Sequence, residues 1–230
     1  VAVTFVSVWR PAFGLAALVA TIPIQTSMTL AVGSRNVTFT KVTLGALLIG
    51  WLLHICATRR SPPVTAIGFW FAAYVVALIA SIWNAESVSA WAGETYRWTT
   101  AGVVYVIAAQ CLRRRSDIAV ISAATSLSVA TCLGAAIIQV ARHSGPPSFT
   151  VNGVTRAFGA FGEPNPFAAY FEIAALPLLR IAAAIVFSGA WRRLAWLLAL
   201  AAACSACGLA GVALTHSRGG AIGAICGVAA

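Results

Sequence analysis

Long apolar stretches with very few charged residues recur along this chain and restrict the fold that it can adopt. Hydrophobic residues make up 60% of the sequence and charged residues 9%, with a mean hydropathy of +0.91. Soluble globular domains average about 45–50% apolar and about 25% charged residues. A membrane-spanning helix needs about 20 mainly apolar residues. The sequence therefore predicts an all-α fold, a polytopic bundle of membrane helices.

Eight membrane spans are predicted from the apolar stretches. They are residues 12–32, 42–57, 64–83, 98–112, 118–141, 166–187, 194–214 and the chain from 219 onward. The last span is truncated at Ala230, because at 1.5 Å per residue it covers only about 18 Å of a hydrocarbon core about 30 Å thick. We expect residues 1–230 to be a single transmembrane domain that is incomplete at both ends and inactive as a fragment.

Clustered arginines predict the orientation of these spans. They lie in alternate loops and before the first span, at positions 10, 59–60, 113–115 and 192–193. The positive-inside rule places these segments in the cytoplasm. Three other loops then face outward, at 84–97, 142–165 and 215–218. Topology and contact with anionic membrane lipids account for the net charge of +10 without a nucleic acid partner.

Two of the outward loops each carry an arginine next to the predicted start of a helix. Arg156 precedes the sixth span and Arg218 begins the last one. The free N–H groups and the dipole of a helix N-terminus favour anions, and a guanidinium matches the geometry of phosphate oxygens. Gly159 allows the backbone to bend close to a ligand. The pattern predicts a shared site for a strongly negative group such as a pyrophosphate.

Other polar residues near these loops allow both structural and functional interpretations. Asn165 is predicted to cap the sixth span, with Pro166 at the first helical position. Glu172 lies about one turn into that span, where a carboxylate is costly unless it is paired or hydrated. It either pairs with an arginine or another polar group, or takes part in catalysis. His216 is either a general base or a cap residue that faces water.

The small residues and cysteines of the spans favour packing over chemistry. Gly219, Gly223 and Gly227 recur every four residues, a spacing that lets a neighbouring helix approach closely. The six cysteines all fall within or at the ends of apolar spans. The chain contains no recognisable set of metal ligands. We therefore predict neither a metal ion nor a cofactor.

The residues around the two arginines resemble two signatures of a known family. Residues 156–170 are RAFGAFGEPNPFAAY, similar to R-x-x-G-t-f-x-x-P-N-x-f-a-x-y, and residues 214–220 are LTHSRGG, similar to l-T-x-S-R-G-[AG]. One hydrophobic hairpin separates them, as it does in the family. The chain thus resembles the O-antigen ligase and O-antigen polymerase superfamily of bacterial inner-membrane glycosyltransferases.

The resemblance implies a metal-independent enzyme that acts at the periplasmic face. Its donor would be an undecaprenyl-pyrophosphate-linked glycan, and its acceptor lipid A-core, a growing glycan or a protein. Arg156 and Arg218 would be the catalytic residues, because fixed cations stabilise the charge that develops on the departing pyrophosphate. The family also has a large periplasmic loop with a functional histidine, expected here beyond Ala230. The substrate-binding residues are expected to be Gly159, Asn165, Ser217 and Glu172.

A second function class is a secondary transporter or permease for an anionic solute. Arginines at helix starts would then bind the transported substrate. Such transporters are typically built from repeated halves with helices broken near mid-membrane. The sequence contains no evident internal repeat, so the transferase is the preferred prediction.

Overall fold

A computed structural model describes residues 2–25, 29–32, 35–59, 61–63, 65–112, 114–151 and 153–229. Within these ranges the protein is predominantly helical. Its helices are α1 (Ala2–Trp9), α2 (Pro11–Ala20), α3 (Phe39–Thr58), α4 (Ala66–Ala80), α5 (Val88–Cys111), α6 (Arg115–Ala141), α7 (Pro164–Phe187), α8 (Ala195–Thr215) and α9 (Arg218–Ala229). Arg60 and Arg113 of the predicted cytoplasmic clusters lie outside the described residues.

In the described ranges, two short antiparallel hairpins lie between helices. In the first, β1 (Thr29–Val32) pairs with β2 (Arg35–Thr38), with Thr29 opposite Thr38. In the second, β3 (Thr150–Val151) pairs with β4 (Val154–Thr155). Single turns of 3₁₀ helix occupy Ile22–Ile24, Ser81–Asn84, Pro147–Phe149, Gly159–Phe161 and Ala190–Arg192.

Among the described residues, five helices are long and apolar enough to cross a membrane. They have mean hydropathies between 1.6 and 2.2 and comprise Phe39–Thr58, Ala66–Asn84, Arg115–Ala141, Pro164–Phe187 and Ala195–Thr215. This confirms a helical protein with the character of a membrane protein. The described part of the chain thus contains five such helices, and the predicted number of eight spans is not confirmed. The last predicted span corresponds to α9, which has 12 residues.

The first predicted span, residues 12–32, is not a continuous helix. Helix α2 ends at Ala20, and the chain then forms a 3₁₀ turn followed by β1. Pro23 lacks the N–H group that a continuing α-helix would need. The Thr21 hydroxyl donates a hydrogen bond to the Leu18 carbonyl oxygen (2.7 Å), which helps to close the last turn of α2.

The predicted outward loop at 84–97 is helical from Val88 onward and forms the first part of α5. Ser87 caps this helix, because its hydroxyl oxygen accepts a hydrogen bond from the Ala90 N–H (3.3 Å). Glu94 and Arg97 form an ion pair one turn apart on its surface (2.8 Å). The predicted span 98–112 is therefore the second half of a longer helix with a polar beginning.

The chain divides by its contacts into two compact units. Unit 1 comprises Val1–Leu15 and Ala46–Ile118. Within this unit the buried Ser7 packs directly against Gly14 and Gly50. A Cβ at either glycine would collide with Ser7. Arg10 forms an ion pair with the buried Asp117 (2.5 Å).

Unit 2 comprises Ala16–Gly45 and Ala119–Ala230 and contains the two arginine motifs. Its core is formed by apolar side chains of α6, α7, α8 and α9, with Phe167 and Phe171 fully buried. Across this core the Tyr170 hydroxyl hydrogen-bonds to Ser128 (2.6 Å), and Ser205 donates to the Ala175 carbonyl oxygen (3.1 Å). The core thus combines apolar packing with hydrogen bonds of Tyr170 and Ser205 across it.

Glycines allow α8 and α9 to approach α7 closely. Helix α8 runs antiparallel to α7, and a Cβ at Gly211 would collide with the Phe171 ring. Helix α9 runs parallel to α7, with Gly220 against Ala168 and Gly227 against Leu176. The end of α8 and the starts of α7 and α9 therefore meet at one end of unit 2.

Candidate functional site

The segment that carries Arg156 is fixed to the C-terminus of α8. The Ala157 N–H donates to the Leu214 carbonyl oxygen (3.0 Å), and Arg156 Nε donates to the Thr215 carbonyl oxygen (2.9 Å). Carbonyl groups in the last turn of a helix have no partner within the helix. The loop supplies these partners, and the Arg156 guanidinium also caps α8.

Asn165 joins the two predicted motifs. Its Oδ1 atom accepts hydrogen bonds from Arg156 Nη2 (3.1 Å) and from the Ser217 hydroxyl (3.1 Å). The prediction that Asn165 caps the sixth span is wrong, because α7 begins at Pro164 with Glu163 at the cap position. Pro164 suits the first helical position, since its ring presets the backbone dihedral and it has no N–H to satisfy. Asn165 is thereby left free to hold the two loops together.

Ser217 caps α9 and orients its first turn. Its hydroxyl oxygen accepts a hydrogen bond from the Gly220 N–H (3.1 Å) while its hydrogen is directed to Asn165. A serine hydroxyl has a single hydrogen to donate. Since that hydrogen is already used, Ser217 acts here as a positioning residue.

Arg218 lies at the first position of α9 and its side chain is exposed. The Arg218 side chain makes no hydrogen bond or ion pair to any residue in the described part of the chain. The backbone N–H groups of Arg218 and Gly219 also have no hydrogen-bond acceptor there. The helix dipole opposes a cation at this end, typically by about 0.3–1 kcal/mol at a surface site. An anion bound at this position would be attracted by both the guanidinium and the helix terminus.

Gly159 adopts a backbone conformation that favours glycine. Its φ angle is +52°, and a Cβ there would lie 2.5 Å from the ring of Phe167. Substitution would therefore strain the backbone and also disturb a fully buried ring. Gly159 shapes the Arg156 loop by this fit.

Two glutamines that the sequence prediction missed hold this loop in place. Gln139 Oε1 accepts hydrogen bonds from the N–H groups of Phe158 (3.2 Å) and Gly159 (2.9 Å). Gln25 Nε2 donates to the Ala160 carbonyl oxygen (3.0 Å). A signal for Gln139 was present in the sequence, because an amide side chain within an apolar span needs a polar partner.

Glu172 lies in the interface between α7 and α9. A Cβ at Gly223 would collide with its Oε2 atom, and a Cβ at Gly220 would lie 3.1 Å from its Oε1 atom. The glycines that face α7 are therefore Gly220, Gly223 and Gly227. Gly219, which was predicted in this row, does not face α7, since the nearest atom to a Cβ there would be the Ser217 hydroxyl oxygen at 4.0 Å.

A cavity of about 330 Å³ lies between the starts of α7 and α9. Ligand pockets in proteins have volumes of about 300–1,000 Å³, so this cavity is at the lower end of that range. Its lining combines polar side chains with small residues: Asn165, Ala169, Glu172, Ser217, Gly219 and Gly220.

His216 and the possible metal ligands are the remaining candidates from the sequence. His216 is the C-terminal cap residue of α8, with a left-handed φ of +48° and an exposed side chain. In the part of the chain that the structure describes, no three His, Cys, Asp or Glu residues lie together as ligands for a metal ion.

No protein-family model, curated protein or solved structure matches this chain. Any functional conclusion therefore depends on the motif residues and on the geometry that unit 2 gives them.

Proposed function

We propose that this protein transfers a glycan from an undecaprenyl-pyrophosphate-linked donor to an acceptor, as O-antigen ligases and polymerases do. The acceptor is lipid A-core, a growing glycan or a protein. The reaction needs no metal ion and takes place at the periplasmic face of a bacterial inner membrane. The arginine clusters at 59–60, 113–115 and 192–193 support this orientation through the positive-inside rule.

One observation carries the proposal: the two signature motifs are joined by hydrogen bonds although they are distant in sequence. Asn165 receives one bond from Arg156 and one from Ser217, the residue that precedes Arg218. A purely structural pair of caps would not need an exposed arginine at the positive end of α9. An anionic ligand gives that arginine a role.

The chemistry of glycan transfer makes use of this arrangement. When the bond between the sugar and the pyrophosphate breaks, negative charge develops on the departing phosphate oxygens. Fixed N–H donors and cations stabilise that charge without having to reorganise. Arg218 and the first N–H groups of α9 supply the free donors, and Arg156 retains further guanidinium N–H groups beyond the two used for Thr215 and Asn165.

An anion transporter remains the alternative prediction. Such a protein typically binds its substrate at helices that are broken near mid-membrane. Helix α7 runs from Pro164 to Phe187 as one element, with Pro177 inside it, and α8 runs from Ala195 to Thr215. This continuity favours the transferase for the helices that form the site.

Arg218→Ala tests the proposal most directly. Because Arg218 has no partner among the described residues, its loss should leave folding intact and lower transfer about 10²–10³-fold, the usual cost of one oxyanion donor. Lysine should rescue poorly, since a point charge does not reproduce the bidentate fork. Transfer from a lipid-pyrophosphate-linked donor to acceptor is measured with the full-length protein in nanodiscs.

Arg142→Ala is the matched control, because Arg142 is exposed near the same loop and its side chain contacts no described residue through a hydrogen bond. It should transfer at the parental rate.

Arg156→Ala should lose both transfer and thermal stability, since Arg156 also caps α8. If a folded Arg218→Ala protein transferred as fast as the parent, the shared anion site would be wrong.

A further inference from the structure

The carboxylate of Glu172 occupies a slot that two glycines of α9 leave open. A side chain at Gly223 would collide with Glu172 Oε2, and one at Gly220 would crowd Oε1 at 3.1 Å. The other α7 residues that these glycines of α9 contact are apolar: Gly220 also packs against Ala168, and Gly227 packs against Leu176. The glycines thus serve to admit an acidic group as well as to bring two helices together.

Glu172 has no hydrogen-bonding or ionic partner among the residues that the structure describes. Its position eight residues after Pro164 puts it about 12 Å along α7 from the helix start. A carboxylate within a membrane span is costly unless it is paired or reaches a polar cavity. Glu172 reaches such a cavity, the space of about 330 Å³ that it shares with Asn165 and Ser217.

Two chemically different groups line the cavity. Asn165 and Ser217 are held by the Arg156 network, next to the cationic start of α9. The Glu172 carboxylate offers oxygen acceptors only. A hydroxyl group bound between them would point its hydrogen towards Glu172 and its oxygen towards the start of α9.

We propose that Glu172 is the general base that takes the proton from the acceptor hydroxyl during glycan transfer. This inference rests on the proposed function. The acceptor oxygen forms a bond to the anomeric carbon of the donor sugar while the bond from that carbon to the pyrophosphate oxygen breaks. The proton moves to Glu172, and the electron pair of the broken bond leaves with the pyrophosphate, which the arginines hold.

Two substitutions remove the base function in different ways. Glu172→Gln keeps the shape of the side chain but cannot accept the proton. Gly223→Ala keeps the carboxylate but adds a Cβ that would collide with Oε2, so the carboxylate must move. Both should lower the turnover of transfer about 10²–10⁴-fold, the usual contribution of general acid–base catalysis.

Gly134→Ala in α6 is the matched control for the glycine substitution. A Cβ at Gly134 has no atom within 4 Å and Gly134 does not line the cavity, so this variant should transfer at the parental rate. Binding of the lipid-pyrophosphate-linked donor to full-length protein in nanodiscs is measured in parallel. Glu172→Gln and Gly223→Ala should bind the donor about as tightly as the parent, whereas Arg218→Ala should bind it weakly.

Glu172→Ala with added formate gives a second, independent readout. Formate is a small carboxylate that can enter the space vacated by the side chain, and it should restore part of the transfer rate. The base role is overturned if folded Glu172→Gln transfers at the parental rate, or if it loses donor binding in proportion to transfer. It is also overturned if formate has no effect on folded Glu172→Ala. Absence of transfer by the parent itself would instead refute the proposed function.

Discussion

Ser217 donates a hydrogen bond to Asn165 across 52 residues of sequence, with an Oγ–Oδ1 distance of 3.1 Å. The bond ties the residue before α9 to the first turn of α7. The same Asn165 oxygen accepts a bond from Arg156, so one amide fixes the relative positions of three segments. Displacement of Asn165 would therefore alter the surroundings of Arg156 and of the start of α9 together.

Asn165→Asp separates the structural from the electrostatic role of this residue. The introduced carboxylate still accepts hydrogen bonds from Arg156 and Ser217, and its bond to the guanidinium is charge-assisted. Thermal stability should be maintained, whereas affinity for the donor pyrophosphate should fall, since the negative charge neutralises Arg156. Donor binding and thermal unfolding of the purified protein measure the two effects.

Asn165→Ala provides the comparison for this prediction. It leaves two donors without their acceptor and should lower the free energy of unfolding by about 1–2 kcal/mol. Equal donor affinity for Asn165→Asp and the parent would show that Arg156 does not contact the anion.

The positions of the arginines at helix boundaries could be predicted because apolar stretches reveal where helices start and stop. Arg218 does begin a helix, and Arg156 lies in the segment before α7. The contacts between the motifs could not be predicted. The proline that follows Asn165 indicated a helix cap, but Pro164 takes the first helical position and frees the Asn165 side chain. Such choices depend on tertiary partners that hydropathy does not encode.

The same limitation explains the errors in span assignment. Residues 12–32 are apolar throughout their first half, yet the chain turns after α2 and continues into β1. Hydropathy reflects the apolar character of this segment, but it does not reveal that the α-helix ends before Thr21 and that a 3₁₀ turn containing Pro23 follows. Likewise, a hydrophobicity criterion assigns the polar stretch after Ser87 to a loop. In the structure this stretch is the first part of α5, and Ser87 caps the helix.

Gly211→Ala should destabilise the packing of α8 against α7. The added Cβ would collide with the Phe171 ring, which is fully buried. Overpacking of a filled core typically costs about 1–3 kcal/mol. Thermal unfolding in detergent should show a lower midpoint for this variant.

Gly134→Ala is the control for this packing prediction. Gly134 is also in a helix of unit 2, but a Cβ there has nothing within 4 Å. Alanine should raise the free energy of unfolding by up to about 1 kcal/mol through its higher helix propensity. Similar midpoints for the two variants would mean that α8 does not pack on Phe171 in the way described.

His216→Gly should keep or raise the stability of the protein and should retain glycan transfer. His216 ends α8 in the left-handed region with φ of +48°. A side chain in this region costs about 1–2 kcal/mol, whereas glycine is unstrained. Part of this gain is offset by the greater freedom of glycine in the unfolded chain.

His216→Val should lower the thermal midpoint, since a β-branched residue is strained there. Transfer should persist in His216→Gly because the proposed base is Glu172. A folded, stable His216→Gly protein without transfer would instead assign the base to His216.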